Sequence, residues 1–318
     1  MGFEGLLGNG RLKENLRSSI SKGRISHFYV ISGPAGSGKR TLARLLAAAI
    51  LCKAGADRPC GVCDACRKVL GAGHPDYITV DDPEKKTVPV DLIRQARADI
   101  YIRPNESDYK IYLFPRGQDM ADPSQNALLK VLEEPPAYGV FILLTDNPEK
   151  LLTTVRSRCT ELSLSGLPTD ILMDALRRRF PQADSDSLRA AAARSGGYLG
   201  QARQLMEEDS LVSPQTEAFA QAFAAKDALG LTMLLAPMEK WKRDQLIPEL
   251  QQWEALLQNA LICRSGAAAL SPMARQLGTQ RSSSELLAGI RRIQKAITYA
   301  QSNVSEAAIC GYLTWSLR

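Results

Sequence analysis

The chain has 318 residues, which suits two or three domains with substantial cores. Apolar residues make up 45% and charged residues 23%, the balance of a soluble globular protein, and no apolar run approaches the roughly 18 residues of a membrane helix. The net charge of +6 is scattered rather than clustered, so it permits contact with nucleic acid without demanding it. The start, MGFEGLLGNGRLKENL, has no basic segment followed by an apolar one, and Leu6 stands where a myristoylation signal wants Ser or Thr. The expected location is the cytoplasm, with no membrane partner.

The first half alternates strand and helix patterns. Phe28–Ser32 (FYVIS) is a short apolar run before a glycine loop, and Arg40–Leu51 follows with helical spacing. Tyr77–Val80, Ile111–Phe114 and Val140–Thr145 read as further buried strands. Val90–Ile100 places Leu92, Ile93, Ala96 and Ile100 on one helical face. Pro123–Glu134 reads as a helix with Asp122 as its N-cap, stopped by Pro135-Pro136. Such alternation implies a mostly parallel sheet covered on both faces. After about Ser163 only helical patterns follow, with a linker at Ser165–Asp170, a turn at Ser195–Gly197 and a second linker at Glu207–Pro214. The expected domains are an α/β domain over 1–164, a small helical domain over 165–208 and a larger helical domain over 209–318. Trp241, Trp253 and Trp315 are expected to anchor helix packing.

Gly33-Pro34-Ala35-Gly36-Ser37-Gly38-Lys39 follows a strand and opens a helix. That context suits a phosphate-binding loop: glycines let N–H groups curl around phosphate, the helix N-terminus adds positive potential, and Lys39 reaches the outer phosphates. The next position should carry the Mg²⁺-binding hydroxyl, but it is Arg40. Thr41, the nearest hydroxyl and the last member of the expected nucleotide-binding set, is one step late, a turn of about 100° on a helix. An ATPase also needs acids after a later strand. After Ile111–Phe114 come Pro115-Arg116-Gly117, and Asp119 and Asp122 lie beyond the strand end. Hydrolysis is therefore expected to be absent or very weak, leaving room for ATP or ADP held without turnover.

Of seven cysteines, Cys52, Cys60, Cys63 and Cys66 form a C-x7-C-x2-C-x2-C cluster. The short spacings let thiolates converge on one tetrahedral ion, which suits structural Zn²⁺; an iron–sulfur cluster and free thiols are the alternatives. Cys159, Cys263 and Cys310 are expected to be ordinary core thiols.

A phosphate loop followed at once by a four-cysteine knuckle resembles the clamp-loader subunits of bacterial DNA polymerase III, within the AAA+ ATPases. Ser26–Lys39, Gly73–Tyr77 (GHPDY), Asn126–Pro136 (NALLKVLEEPP), Phe141–Cys159 and Ser195–Ala202 (SGGYLGQA) are similar to segments of that family. The likeness is close over roughly residues 5–205 and only by type beyond. It implies an AAA+ α/β domain with a zinc knuckle, a helical lid and an all-α collar. It also implies that Arg158, in the intact Ser157-Arg158-Cys159 motif, acts in trans on a neighbour's ATP, where an arginine stabilises charge on the transferring phosphoryl group. Motor (tau/gamma) subunits need the loop hydroxyl, the acids and a lid arginine; here those places hold Arg40, Pro115-Arg116 and Gly200. The pattern resembles the non-motor delta-prime class. The implied partners are motor and delta subunits in a hetero-pentamer, and through it the sliding clamp and primer-template DNA; the rival reading is a divergent, active motor subunit.

Overall fold

The computed structural model describes residues 2–55, 57–71, 73–210, 213–266, 271–302 and 304–317. In chain order the elements are α1 (Gly10–Ser21), β1 (Phe28–Ser32), α2 (Lys39–Leu51), α3 (Asp64–Leu70), β2 (Tyr77–Thr79), α4 (Val90–Asp99), β3 (Lys110–Phe114), α5 (Asp122–Glu133), β4 (Gly139–Thr145), α6 (Thr153–Arg156) and β5 (Thr160–Ser163). Nine helices follow among the described residues: α7 (Thr169–Arg179), α8 (Ser185–Arg194), α9 (Leu199–Ser210), α10 (Pro214–Ala225), α11 (Ala228–Met238), α12 (Arg243–Arg264), α13 (Pro272–Gln280), α14 (Ser283–Gln301) and α15 (Glu306–Ser316). The chain divides into two compact units, Met1–Leu172 with Gly197–Gln201, and Met173–Gly196 with Ala202–Arg318.

The first unit holds a five-stranded parallel sheet in the order β2-β3-β4-β1-β5. β1, β3 and β4 are buried at every position, which is why they read as unbroken apolar runs. Their side chains alternate between two cores. Val140, Ile142 and Leu144 join Ile31, Leu42 and Leu46 on the face that α1, α2 and α3 help to cover. Phe141 and Leu143 join Val30, Ile93 and Leu128 on the face covered by α4 and α5, where Phe141 stacks on Tyr112 and Phe114. β2 and β5 are edges. β2 is half-buried with Thr79 exposed, not the buried strand that its apolar letters suggest. β5 escapes sequence reading because Leu162 is the one residue of the four that it buries.

Two local expectations need correction. α5 begins at Asp122, so Ala121 holds the cap position and the Asp122 side chain makes no capping bond. The start is set instead by buried tethers, Ser124 Oγ to Val88 O (3.1 Å) and Gln125 Nε2 to Met120 O (3.0 Å); the Asp122 charge still suits the helix N-terminus. On α4, Leu92 is only half-buried, while Ile93, Ala96 and Ile100 are buried.

The second unit is helical, and among the described residues no strand follows β5. Its core includes Phe219, Phe223, Leu235, Leu250, Trp253, Ile293 and Leu313. Trp253 is fully buried, lies flat on Phe219 at 4.2 Å between ring centres, and donates Nε1–H to Glu249 Oε1 (2.9 Å). The buried Glu249 carboxylate also accepts from Ser213 Oγ and Thr216 Oγ1, both at 2.6 Å, so its burial is compensated. Trp241 packs half-buried on the same core. Trp315 does not: it is 75% exposed, because α15 buries Ile309, Cys310 and Leu313 and turns residue 315 to the opposite face. The linker expected at Glu207–Pro214 is shorter, since α9 continues to Ser210; residues 211 and 212 lie outside the described residues. The turn at Ser195–Gly197 is present, with Gly196 and Gly197 at positive φ. Cys310 is buried as expected, whereas Cys159 and Cys263 are half-buried. No helix among the described residues is long and apolar enough to cross a membrane.

Replacing Trp253 with Ala empties the centre of this core and removes a donor from Glu249. It should cost about 3–5 kcal/mol in urea unfolding followed by circular dichroism.

Candidate functional site

The phosphate loop joins β1 to α2. Gly33, Gly36 and Gly38 have φ values of 152°, 74° and 97°, a region that favours glycine and lets the loop curl tightly. Gly38 caps α2 without a side-chain bond, leaving the helix end open to an acceptor. The expected residues Gly33–Lys39 therefore do form one loop. Arg40 and Thr41 are both exposed at the start of α2.

Lys39 is not free. Its Nζ lies 2.6 Å from Gly33 O, 2.8 Å from Pro34 O and 2.5 Å from Asp146 Oδ1, and its side chain is 12% exposed. Asp146 arrives there because β4 runs parallel to β1 in the register Ser32↔Thr145, with Gly33 N–H donating to Thr145 O (3.2 Å). On the other flank Gly200 N–H donates to Gly36 O (3.0 Å), and a Cβ on Gly200 would run into Gly36 Cα. Ser37 Oγ, inside the loop, is buried without a partner. Neither Asp146 nor the Gly200 approach was visible to motif reading, because both depend on strand register and chain return.

At the end of β3, where a catalytic acid would stand, Arg116 is pinned elsewhere. Its Nε and an Nη lie 2.8 and 2.7 Å from Asp81 Oδ1, and the guanidinium also donates to Asp82 O and Lys85 O.

Arg158 follows α6 and precedes β5. It donates to Thr154 O (3.0 Å) and Ser157 Oγ (3.3 Å), and pairs with Glu133 of α5 at 3.2 Å. The pair is well exposed, at 39% and 53% of the two side chains, so it is weak and readily opened. β5 runs parallel to β1, with Tyr29↔Thr160 and Ser32↔Ser163. Arg158 therefore stands at the N-terminal end of this pair and the phosphate loop at the C-terminal end. Four strand residues at about 3.3 Å each put about 13 Å between them.

Cys52 ends α2, Cys63 caps α3, Cys66 lies in its first turn, and Cys60 completes the group. All four sulfurs lie within 4.8 Å of one another, so the cluster can hold a metal ion. The Cys52–Cys63 and Cys60–Cys66 separations are each 3.9 Å, far beyond the roughly 2.05 Å of a disulfide. N–H groups of Cys63 and Val62 aim at Cys60 and bring its thiol down to about 6, favouring the thiolate that a metal needs.

A Ser–His pair nearby has the look of catalysis but holds a loop instead. The buried His74 accepts at Nδ1 from Asp76 N–H (3.1 Å), so its proton sits on Nε2 and points to Ser107 Oγ (3.2 Å). The serine thus accepts a hydrogen bond from the imidazole and is not activated as a nucleophile. The Asp76 carboxylate accepts from Asn105 N (2.6 Å), Asn105 Nδ2 (3.1 Å), Glu106 N (2.8 Å) and Ser107 N (3.0 Å). Burial alone would raise its pKa; the donors win and hold it below the usual carboxylate range.

The family model described as DNA polymerase III, delta subunit, matches residues 8–168. The chain belongs to that family. The DNA polymerase III subunit tau of Salmonella typhimurium is 31% identical over 290 residues, covering 86% of this chain and 45% of that protein. The subunit delta' of Yersinia pestis is 29% identical over 256 residues, covering 78% of this chain and 73% of that protein. A gamma subunit-related protein from Thermotoga maritima, of known structure, is 18% identical with a TM-score of 0.44, covering 96% of this chain and 99% of that one. The chain spans less than half the length of the tau relatives to which it is similar.

Because the folded pKa of Asp76 is lowered, its contribution to stability is present above the unfolded value and lost as pH falls through the folded one. Unfolding free energy should therefore decline as pH drops below about 4. Asp76→Asn should remove part of that decline and cost about 2 kcal/mol at pH 7, both read by urea titration across pH.

Proposed function

We propose that this chain is a non-motor, delta-prime-like subunit of the DNA polymerase III clamp loader. One observation carries the reading: Arg158 is half-exposed at the far end of the sheet from its own phosphate loop, which keeps it out of its own site and open to a neighbour. The loop itself supports the non-motor half, since it offers Arg40 in place of the metal hydroxyl and a pinned Arg116 in place of an acid. On this reading Arg158 reaches a neighbouring motor (tau/gamma) subunit and stabilises the charge of phosphoryl transfer there. The exposed Glu133 pair holds the finger extended until that neighbour's phosphate replaces it. The first domain is AAA+, 165–208 acts as its lid and 209–318 as the collar that joins the hetero-pentamer with delta. The assembly then places the sliding clamp on primer-template DNA.

In a loader reconstituted with motor and delta subunits, Arg158→Ala should preserve assembly and lower clamp-stimulated ATP turnover by about 10³-fold at the one site that it serves. Unchanged turnover sinks the proposal. The tau relatives supply the rival, an active motor. Steady Mg-ATP turnover by the chain alone, abolished in Lys39→Ala, would put that reading in its place.

The cysteine cluster fits zinc. Tetrahedral ligands about 2.3 Å from Zn²⁺ stand about 3.8 Å apart, close to the 3.9 Å sulfur separations here. Four thiolates leave no open position, so the ion ties α2 to α3 and takes no part in chemistry. Mass spectrometry of purified protein should find one zinc per chain, and Cys63→Ser should lose the metal together with several degrees of Tm.

A further inference from the structure

We propose that Asp146 is an internal counter-ion for Lys39 and that this carboxylate decides what the phosphate loop accepts: as built, the loop takes its own aspartate and refuses ADP or phosphate. The inference deepens the non-motor reading of the loop but does not depend on Arg158.

The lysine is saturated. An ammonium has three donors, and three acceptors surround this one: Gly33 O, Pro34 O and Asp146 Oδ1. Two of them are carbonyls of the loop, which in this arrangement turns oxygen rather than N–H toward the lysine. An incoming phosphate must displace an acceptor and also sit beside the Asp146 charge. Two like charges a few ångströms apart in a partly shielded site repel strongly. Lys39 is 12% exposed while Asp146 is 45% exposed, so the carboxylate closes the outer side of the lysine.

The loop's other flank is closed by backbone. Gly200 N–H is bonded to Gly36 O, and a Cβ on Gly36 would meet Gln201 N at 2.5 Å. Any reshaping of Gly36 to aim its N–H at a phosphate therefore has to move Gly200 as well. No metal hydroxyl offsets these costs at the position after Lys39, because the exposed Arg40 stands there. Asp146 thus differs from a casual surface partner: it meets a shielded lysine whose other two donors are already taken by the loop's own carbonyls.

The test uses the full chain and two probes, ADP and inorganic phosphate, titrated separately by calorimetry with and without Mg²⁺. Wild type should show no saturable binding of either. Asp146→Asn keeps the shape of the half-exposed side chain and removes the repelling charge. It should bind ADP at least about tenfold more tightly than wild type. The double variant Lys39→Ala, Asp146→Asn should lose that gain, which separates a restored loop from binding elsewhere. Equal ADP binding by wild type and Asp146→Asn overturns the proposal, as does the absence of binding by a folded Asp146→Asn. Binding of phosphate but not ADP by the variant would support the counter-ion and leave Gly200 as the barrier to the larger ligand. The readout needs no partner subunit, so it can fail while the Arg158 result stands, and the reverse.

Discussion

β1 is hydrogen-bonded on both sides by strands that run its own way, β4 and β5. A parallel sheet delivers every strand's C-terminus to one end, and much follows from that. The phosphate loop after β1, Asp146 after β4 and Arg116 after β3 all emerge at that end. Arg158, which enters β5, is left at the other. A single strand reversed would put the arginine beside the loop. The separation of about 13 Å is therefore a property of topology, not of any contact that Arg158 makes.

Most of the sheet was legible because burial on both faces forces continuous apolar runs, and β1, β3 and β4 have them. The edges were not. β2 carries apolar letters with only partial burial, and β5 is Thr-Glu-Leu-Ser with one residue inside. Helix ends were misread for a similar reason. Asp122-Pro123 looks like a cap, but Ser124 and Gln125 are tethered to Val88 and Met120, and those tethers decide where α5 begins. In α15 the pattern of Ile309, Cys310 and Leu313 already turned Trp315 away from the core. The residue's size suggested an anchor; the period of the helix overruled it.

The site divides along the same line. Motifs set by neighbours in sequence, such as the glycines before Lys39 and the clustered cysteines, were readable residue by residue. Features set by register or chain return were hidden. Asp146 meets Lys39 only because Ser32 pairs with Thr145, and Gly200 meets Gly36 only because the chain comes back to the first unit at Gly197–Gln201. Asp76 likewise gathers four donors from a loop about thirty positions away.

Charge ties these departures together. A motor site must hold the negative charge of a triphosphate, and it does so with Mg²⁺, itself held by a hydroxyl and an acid. Here Arg40 and Arg116 stand at those two positions in the sequence, and neither side chain can ligate a cation. Lys39 is the cation that the loop itself supplies. A shielded ammonium with nothing to pair with is costly, so a loop that holds Lys39 this way gains from a resident anion. Asp146 meets that need at 2.5 Å. The carboxylate is thus part of the loop's own charge balance: it steadies Lys39, and it does so at the end of the sheet opposite the one where Arg158 stands.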